Sequence, residues 1–186
     1  MFEDYDPDDL QVRVAEMLVA TADEADHQID GQIRDVLKLL REKMKMDVVF
    51  VSEFTGGRRY FRQVEQVRPV LAEGESDPLE ASWCQRGVDG RLPGFVADAA
   101  PLVATGALPA PPMPIGTHIS TPLTLPGGEV YGTLCCFSFT ANPEATEADL
   151  RRLRFTADLA GQRIDAGRKA LSLQPKADPG GFRTRG

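Results

Sequence analysis

Apolar residues near the start of the chain recur at helical spacing. Leu10, Val14, Met17 and Leu18 form one set, and Ile29, Ile33, Val36, Leu37, Leu40 and Met44 form a second. Asp6-Pro7-Asp8-Asp9 has the chemistry of a helix start, with Asp6 as N-cap, a proline in the first turn and acids facing the helix dipole. The stretch 21–27 is polar, so the pattern predicts either one long helix or two with a break there. Residues 28–46 are the stronger amphipathic segment.

The pattern then changes. Residues 47–54 (DVVFVSEF) are β-branched and aromatic and predict a strand. Gly56-Gly57 suits a hairpin turn, because glycine takes positive φ freely, and 58–67 (RRYFRQVEQV) returns as the partner strand. Residues 77–89 (DPLEASWCQRGVD) place Leu79, Trp83, Cys84 and Val88 at helical spacing and predict a short helix. Residues 93–126 hold eight of the 14 prolines, too many for continuous helix or central sheet. Within them, 94–97 reads as a short strand, 101–106 as a helical turn and 118–125 as a strand.

After a second Gly-Gly turn, 129–139 (EVYGTLCCFSF) is apolar on both faces. Val130, Gly132, Leu134 and Cys136 alternate with Tyr131, Thr133, Cys135, Phe137 and Phe139, as in a central strand covered on both sides. Thr146-Glu147-Ala148-Asp149 is an N-terminal capping pattern. Leu150, Leu153, Ala157, Ala160 and Ile164 follow as a heptad seam, flanked by Phe155 and Leu159, on a helix reaching about residue 171. The polar tail, 172–186, with Pro175 and Pro179, reads as disordered. The expected fold is α+β: an antiparallel sheet with the long terminal helices on one face and short helices and proline-rich loops on the other.

Composition narrows the function classes. The chain has 186 residues, 28 acidic and 21 basic, for a net charge of −7. The first 30 residues carry ten acids against one base, so −9 sits there and +2 on the remainder. That acidity reads as a solvated helix face, with an acidic docking arm as the competing reading. A nucleic-acid partner is not expected without a basic patch. No membrane span and no signal peptide are legible, and three cysteines make no disulfide framework. These features point to a cytoplasmic protein.

Several motifs together resemble the GAF domain: Ser82-Trp83-Cys84-Gln85-Arg86, Gly90-Arg91-Leu92-Pro93, Ala97-Asp98-Ala99, Ile119-Ser120-Thr121-Pro122-Leu123 and the run from Gly128 to Cys136. The resemblance covers 28–171, leaving 1–27 as an acidic helical extension and 172–186 as the tail. It is similar in particular to the GAF domains attached to bacterial cyclic-di-GMP turnover enzymes and sensor kinases, although no catalytic domain of that kind fits in this chain. The resemblance implies a sheet of about six antiparallel strands, a ligand pocket between sheet and loop layer, and a homodimer formed through the terminal helices. It also implies a possible effector domain or protein in trans. Fold alone does not name a ligand.

The candidate site drawn from this resemblance is Trp83, Cys84, Arg86, Asp98, His118, Tyr131 and Cys135. Cys135 and Cys136 are adjacent in a strand, so they point to opposite faces, and buried small hydrophobes are the expected role over a redox pair. Cys84 is expected to pack, because Gln85 stands where bilin-binding relatives carry histidine after the chromophore cysteine. Trp83 and Tyr131 pack or stack on a planar ligand. Arg86, Arg91 and Asp98 either clamp an anionic ligand or tie the loop together. His118 is either a structural residue or, in an open apolar cavity, a haem ligand. No metal spacing is present and no cofactor is expected, with a bilin- or haem-binding photo- or redox sensor as an alternative reading. Three functions follow: a small-molecule sensor, a non-sensing dimerisation module with the heptad seam as interface, and a thiol-dependent methionine sulfoxide reductase, of which the sensor is the expectation and enzymatic activity is not.

Overall fold

The computed structural model describes residues 7–19 and 27–173. The Asp6 cap, residues 20–26, which hold all but the last residue of the polar stretch 21–27, and the tail from 174 lie outside the described residues. Two helices, α1 (Pro7–Val19) and α2 (His27–Met44), precede the sheet, and α5 (Glu147–Leu173) follows it. The strands are β1 (Val48–Thr55), β2 (Arg58–Gln66), β3 (Ser76–Pro78), β4 (Phe95–Val96), β5 (His118–Thr124) and β6 (Val130–Phe137). They form one antiparallel sheet in the order β3-β2-β1-β6-β5-β4. The two most apolar strands, β1 and β6, are therefore central, where both faces are covered.

Helices α1, α2 and α5 cover one face. Leu10, Val14 and Leu18 of α1 and Ile33, Val36, Leu37 and Leu40 of α2 join Val49, Val51, Leu134 and Cys136 of the sheet in one buried cluster. The acidic segment thus turns an apolar stripe inward. Thr146 caps α5 by accepting from the Ala148 amide, and Asp149 accepts from the Thr146 amide in return, a reciprocal cap. Gly161 lets α5 lie against β5: a Cβ there would sit 2.4 Å from the Thr124 carbonyl oxygen.

The heptad seam is occupied within the chain. Leu150, Leu153, Ala157 and Ala160 are buried in the helix-side cluster, and Ile164 is partly buried against it. Its 3–4 spacing serves packing on β5 and α1, so Leu150, Leu153, Ala157 and Ala160 act as core residues in the described chain.

The opposite face carries the short elements α3 (Trp83–Val88) and α4 (Ala100–Ala104) with the proline-rich segment. The short helix begins later than the apolar spacing predicts. Residues 76–78 form the edge strand β3 on β2, where Pro78 needs no ladder amide. A single 3-10 turn, Leu79–Ala81, follows, and Ser82 supplies the N-cap by accepting from the Gln85 amide at 3.1 Å.

Two β-bulges interrupt the alternation. In β2 the pairing runs Val51 with Gln63 and then Ser52 with Phe61, so Arg62 is extra. In β6 it runs Leu123 with Gly132 and then Thr124 with Val130, so Tyr131 is extra. An extra residue inverts which face the following side chains take.

Leu153 is fully buried. Leu153→Ala is expected to cost about 2–5 kcal/mol in urea denaturation. Because the contact is internal, the loss should not depend on protein concentration; a concentration-dependent midpoint would return the seam to an interface.

Candidate functional site

The loop-side core consists of Val48, Phe50, Phe61, Val64, Cys84, Cys135 and Phe137. Beside it lies a cavity of about 310 Å³. Its floor is Phe50, Phe61, His118 and Phe137 from four strands, with Arg59 at the β2 end. Trp83 forms one wall, and Pro109 to Met113 form the roof. The Trp83 indole Nε1–H donates to the Pro109 carbonyl at 3.0 Å, which fastens the roof to α3. The bulge at Arg62 is what turns Phe61 and Arg59 to this face.

His118 is buried, and its Nδ1 has no hydrogen-bond partner. Its ring meets Trp83 edge to face at 5.3 Å. Burial, and then the positive charge of Arg59, push its pKa down to about 4, so the ring is neutral at pH 7. An unpaired polar atom at this depth carries a desolvation penalty.

Each of the three guanidinium nitrogens of Arg59 donates one hydrogen bond. Its Nε donates to Asp77 Oδ1 at 2.9 Å, its Nη2 donates to Asp77 Oδ2, and its Nη1 donates to Cys84 Sγ at 3.1 Å. Behind Arg59 the Cys84 and Cys135 sulfurs are 3.4 Å apart. The Cys135 thiol donates to Thr133 Oγ1 at 3.2 Å, and Thr133 Oγ1 lies 2.6 Å from Ser52 Oγ. The contact from Cys135 is the largest influence lowering the Cys84 pKa; burial opposes it, and the Arg59 charge adds to the lowering. Burial, then the Cys84 contact, raise the Cys135 pKa.

The structure thus brings Trp83 and His118 together on the cavity and places Cys84 and Cys135 directly behind its wall. The remaining candidates lie elsewhere. Tyr131 is on the helix side: the bulge reverses it, its hydroxyl donates to Glu53 Oε2 at 3.3 Å, and Arg168 of α5 lies over its ring at 4.8 Å. Burial and Glu53 push the Tyr131 pKa up to about 12. Asp98 is exposed, accepts from the Ala100 amide at 3.1 Å, and lines a separate hollow of about 630 Å³ beside α4. Arg86 stands on α3 outside the cavity lining, with its Nε buried and without a partner. Arg91 pairs with Asp89 at the surface. Neither arginine clamps the cavity. Arg59 and Asp77, which the pattern does not single out, are the charged pair at its edge.

A sequence profile of the GAF domain matches residues 26–165, and the chain belongs to the GAF family, whose members are sensory and regulatory modules. Among curated proteins, none matches it in sequence. Its fold is similar to that of a GAF sensor protein from Burkholderia vietnamiensis, with TM-score 0.68, 16% identity, and 88% of this chain and 99% of that one covered. It is similar to a free methionine-R-sulfoxide reductase from Neisseria meningitidis, with TM-score 0.66, 19% identity and coverage of 91% and 97%. It is also similar to the phycocyanobilin-bound GAF domain of a cyanobacterial phytochrome, with TM-score 0.62, 13% identity and coverage of 91% and 98%. At these identities the likeness is one of fold. No described helix is long and apolar enough to cross a membrane.

A bilin or haem does not fit these residues. The cavity is at the small end of ligand pockets, roughly 300–1,000 Å³, and Cys84 is buried against Arg59 and Cys135, not presented to it.

The depressed pKa of His118 sets a pH dependence. The unfolded chain takes up this proton near the ordinary value of 6.5 and the folded chain only near 4. The stability is therefore complete above pH 6.5 and is lost as pH falls towards 4, by roughly 3 kcal/mol. In urea denaturation from pH 7 to pH 4, His118→Phe should show a loss smaller by about that amount; parallel curves would mean that His118 is protonated when folded.

Proposed function

We propose that this chain is a sensory module whose cavity takes a compact, largely apolar molecule carrying one polar group. The carrying observation is a cavity floored by three phenylalanines and by one buried, neutral histidine, His118, the one polar side chain of that floor. The charge balance supports an uncharged ligand over a polyanion. Arg59 is paired with Asp77, Glu75 also lines the cavity, and His118 is neutral at pH 7. A cyclic nucleotide would find no free cation among the lining residues.

The reading is a binding module in preference to an enzyme. Neither Cys84 nor Cys135 lines the cavity, so a sulfoxide held there would not touch a thiol. Occupancy would be relayed through β5 and β6 to α5, which packs on both strands and ends with Leu171 and Leu173 exposed. An effector, in the same polypeptide or a separate one, would read that helix. Three free thiols suit a reducing cytoplasm.

Three probes of one shape test the recognition: indole offers a donor, benzofuran an acceptor, and indene neither. Trp83, the only tryptophan, reports binding through its fluorescence. At least one polar probe is expected to bind roughly tenfold tighter than indene, and His118→Phe should remove the difference. Equal binding of all three, or no response to any, would refute the assignment.

A further inference from the structure

Cys84 and Cys135 are 51 residues apart in sequence and meet across the interface between α3 and β6. All three cysteines are free thiols, and these two have their sulfurs at 3.4 Å. A disulfide needs about 2.05 Å, so the sulfurs must close by roughly 1.3 Å. The two partners differ in surroundings. Cys84 accepts from the Arg59 guanidinium at 3.1 Å, a cationic partner of the kind that favours a thiolate. Cys135 donates to Thr133 Oγ1, deeper in the sheet and away from the charge. Cys136, although next in sequence, belongs to the helix-side core and is separated from both by the sheet itself.

We infer that Cys84 and Cys135 form a peroxide-oxidisable dithiol, with Cys84 as the attacking sulfur, Cys135 as the resolving sulfur and Arg59 as the group that positions and charges Cys84. The Cys84 thiolate attacks one oxygen of hydrogen peroxide. The O–O bond breaks, the leaving hydroxide takes a proton to become water, and Cys84 is oxidised to the sulfenic acid. Cys135 then attacks the Cys84 sulfur and gives up its proton, the S–O bond breaks, and a second water leaves. The sum is two thiols and one hydrogen peroxide going to one disulfide and two waters.

Access favours a small oxidant. Both sulfurs are fully buried, but Arg59 lines the cavity and touches Cys84, so one side chain separates the two. Hydrogen peroxide, with two heavy atoms, suits that gap better than cumene hydroperoxide does.

The product would pin α3 to β6. Trp83, adjacent to Cys84, holds the cavity roof through Pro109, so oxidation would also fix one cavity wall. This last consequence rests on the proposed ligand reading; the dithiol chemistry does not.

The test uses the full chain, reduced and then treated with excess hydrogen peroxide at pH 7, alkylated under denaturing conditions and mapped by peptide mass spectrometry. The expected result is an intramolecular Cys84–Cys135 peptide, an intact mass lower by two hydrogens, reversal by dithiothreitol and a free, alkylated Cys136. The melting temperature should rise on the order of 10 °C. Cys136→Ser should behave like the wild type. Cys135→Ser should leave a sulfenic acid on Cys84, trapped by dimedone added together with the denaturant. Arg59→Gln should slow oxidation roughly tenfold or more. Cumene hydroperoxide should react more slowly than hydrogen peroxide. An absent cross-link in the wild-type chain, a Cys135–Cys136 link or only intermolecular links would overturn the inference. Because this readout needs no ligand, its failure is distinct from failure of the indole series.

Discussion

A β-strand alternates its side chains between two faces, and one extra residue reverses that alternation. The site of this GAF domain depends on that constraint twice. The extra Arg62 in β2 puts Phe61 and Arg59 on the same side as Phe50 of the neighbouring strand. The extra Tyr131 in β6 sends its ring to the helices while Thr133, Cys135 and Phe137 stay on the loop side. Without the first bulge the cavity would lack an aromatic floor residue and its only arginine. Without the second, a tyrosine would project into the loop layer. Local insertions in two strands thus determine the chemistry of a cavity built from distant parts of the chain.

Much of the architecture was readable from periodicity, because each long element has one dominant burial pattern. Segment 28–46, the two Gly-Gly hairpins, the doubly apolar β6 and the capped final helix all occur where residue spacing places them. The ambiguities share a cause. The heptad seam of α5 reads the same whether it faces a second copy or its own sheet, and only the position of β5 decides. Asp77-Pro78 resembles a helix start until Arg59 takes the aspartate and Ser82 supplies a better cap.

The site was less legible than the fold. Trp83 and His118 emerge from motif reading, but Arg59 does not, since alternation without the bulge gives it the wrong face. The closeness of Cys84 to Cys135 is a matter of how α3 docks, a long-range packing event with no trace in local sequence. Cys135 and Cys136 are neighbours in sequence, but their side chains lie on opposite faces of the sheet. Arg59 also explains why an arginine beside the cavity does not make an anion site. Its three nitrogens are committed to Asp77 and Cys84, so its charge polarises the protein's own groups, and His118 and Cys84 both respond to it.

The unsatisfied nitrogen of His118 has a consequence for discrimination. Apolar walls tell ligands apart by shape, and a polar group that pairs with His118 would add roughly a factor of ten. With the arginine committed elsewhere, His118 is the one polar side chain of the floor, and on the proposed reading most of the selectivity would come from it. A cavity of this design would sort molecules by shape and by a single hydrogen bond. Relatives could change what they recognise by altering one position on β5 while the rest of the floor stays the same.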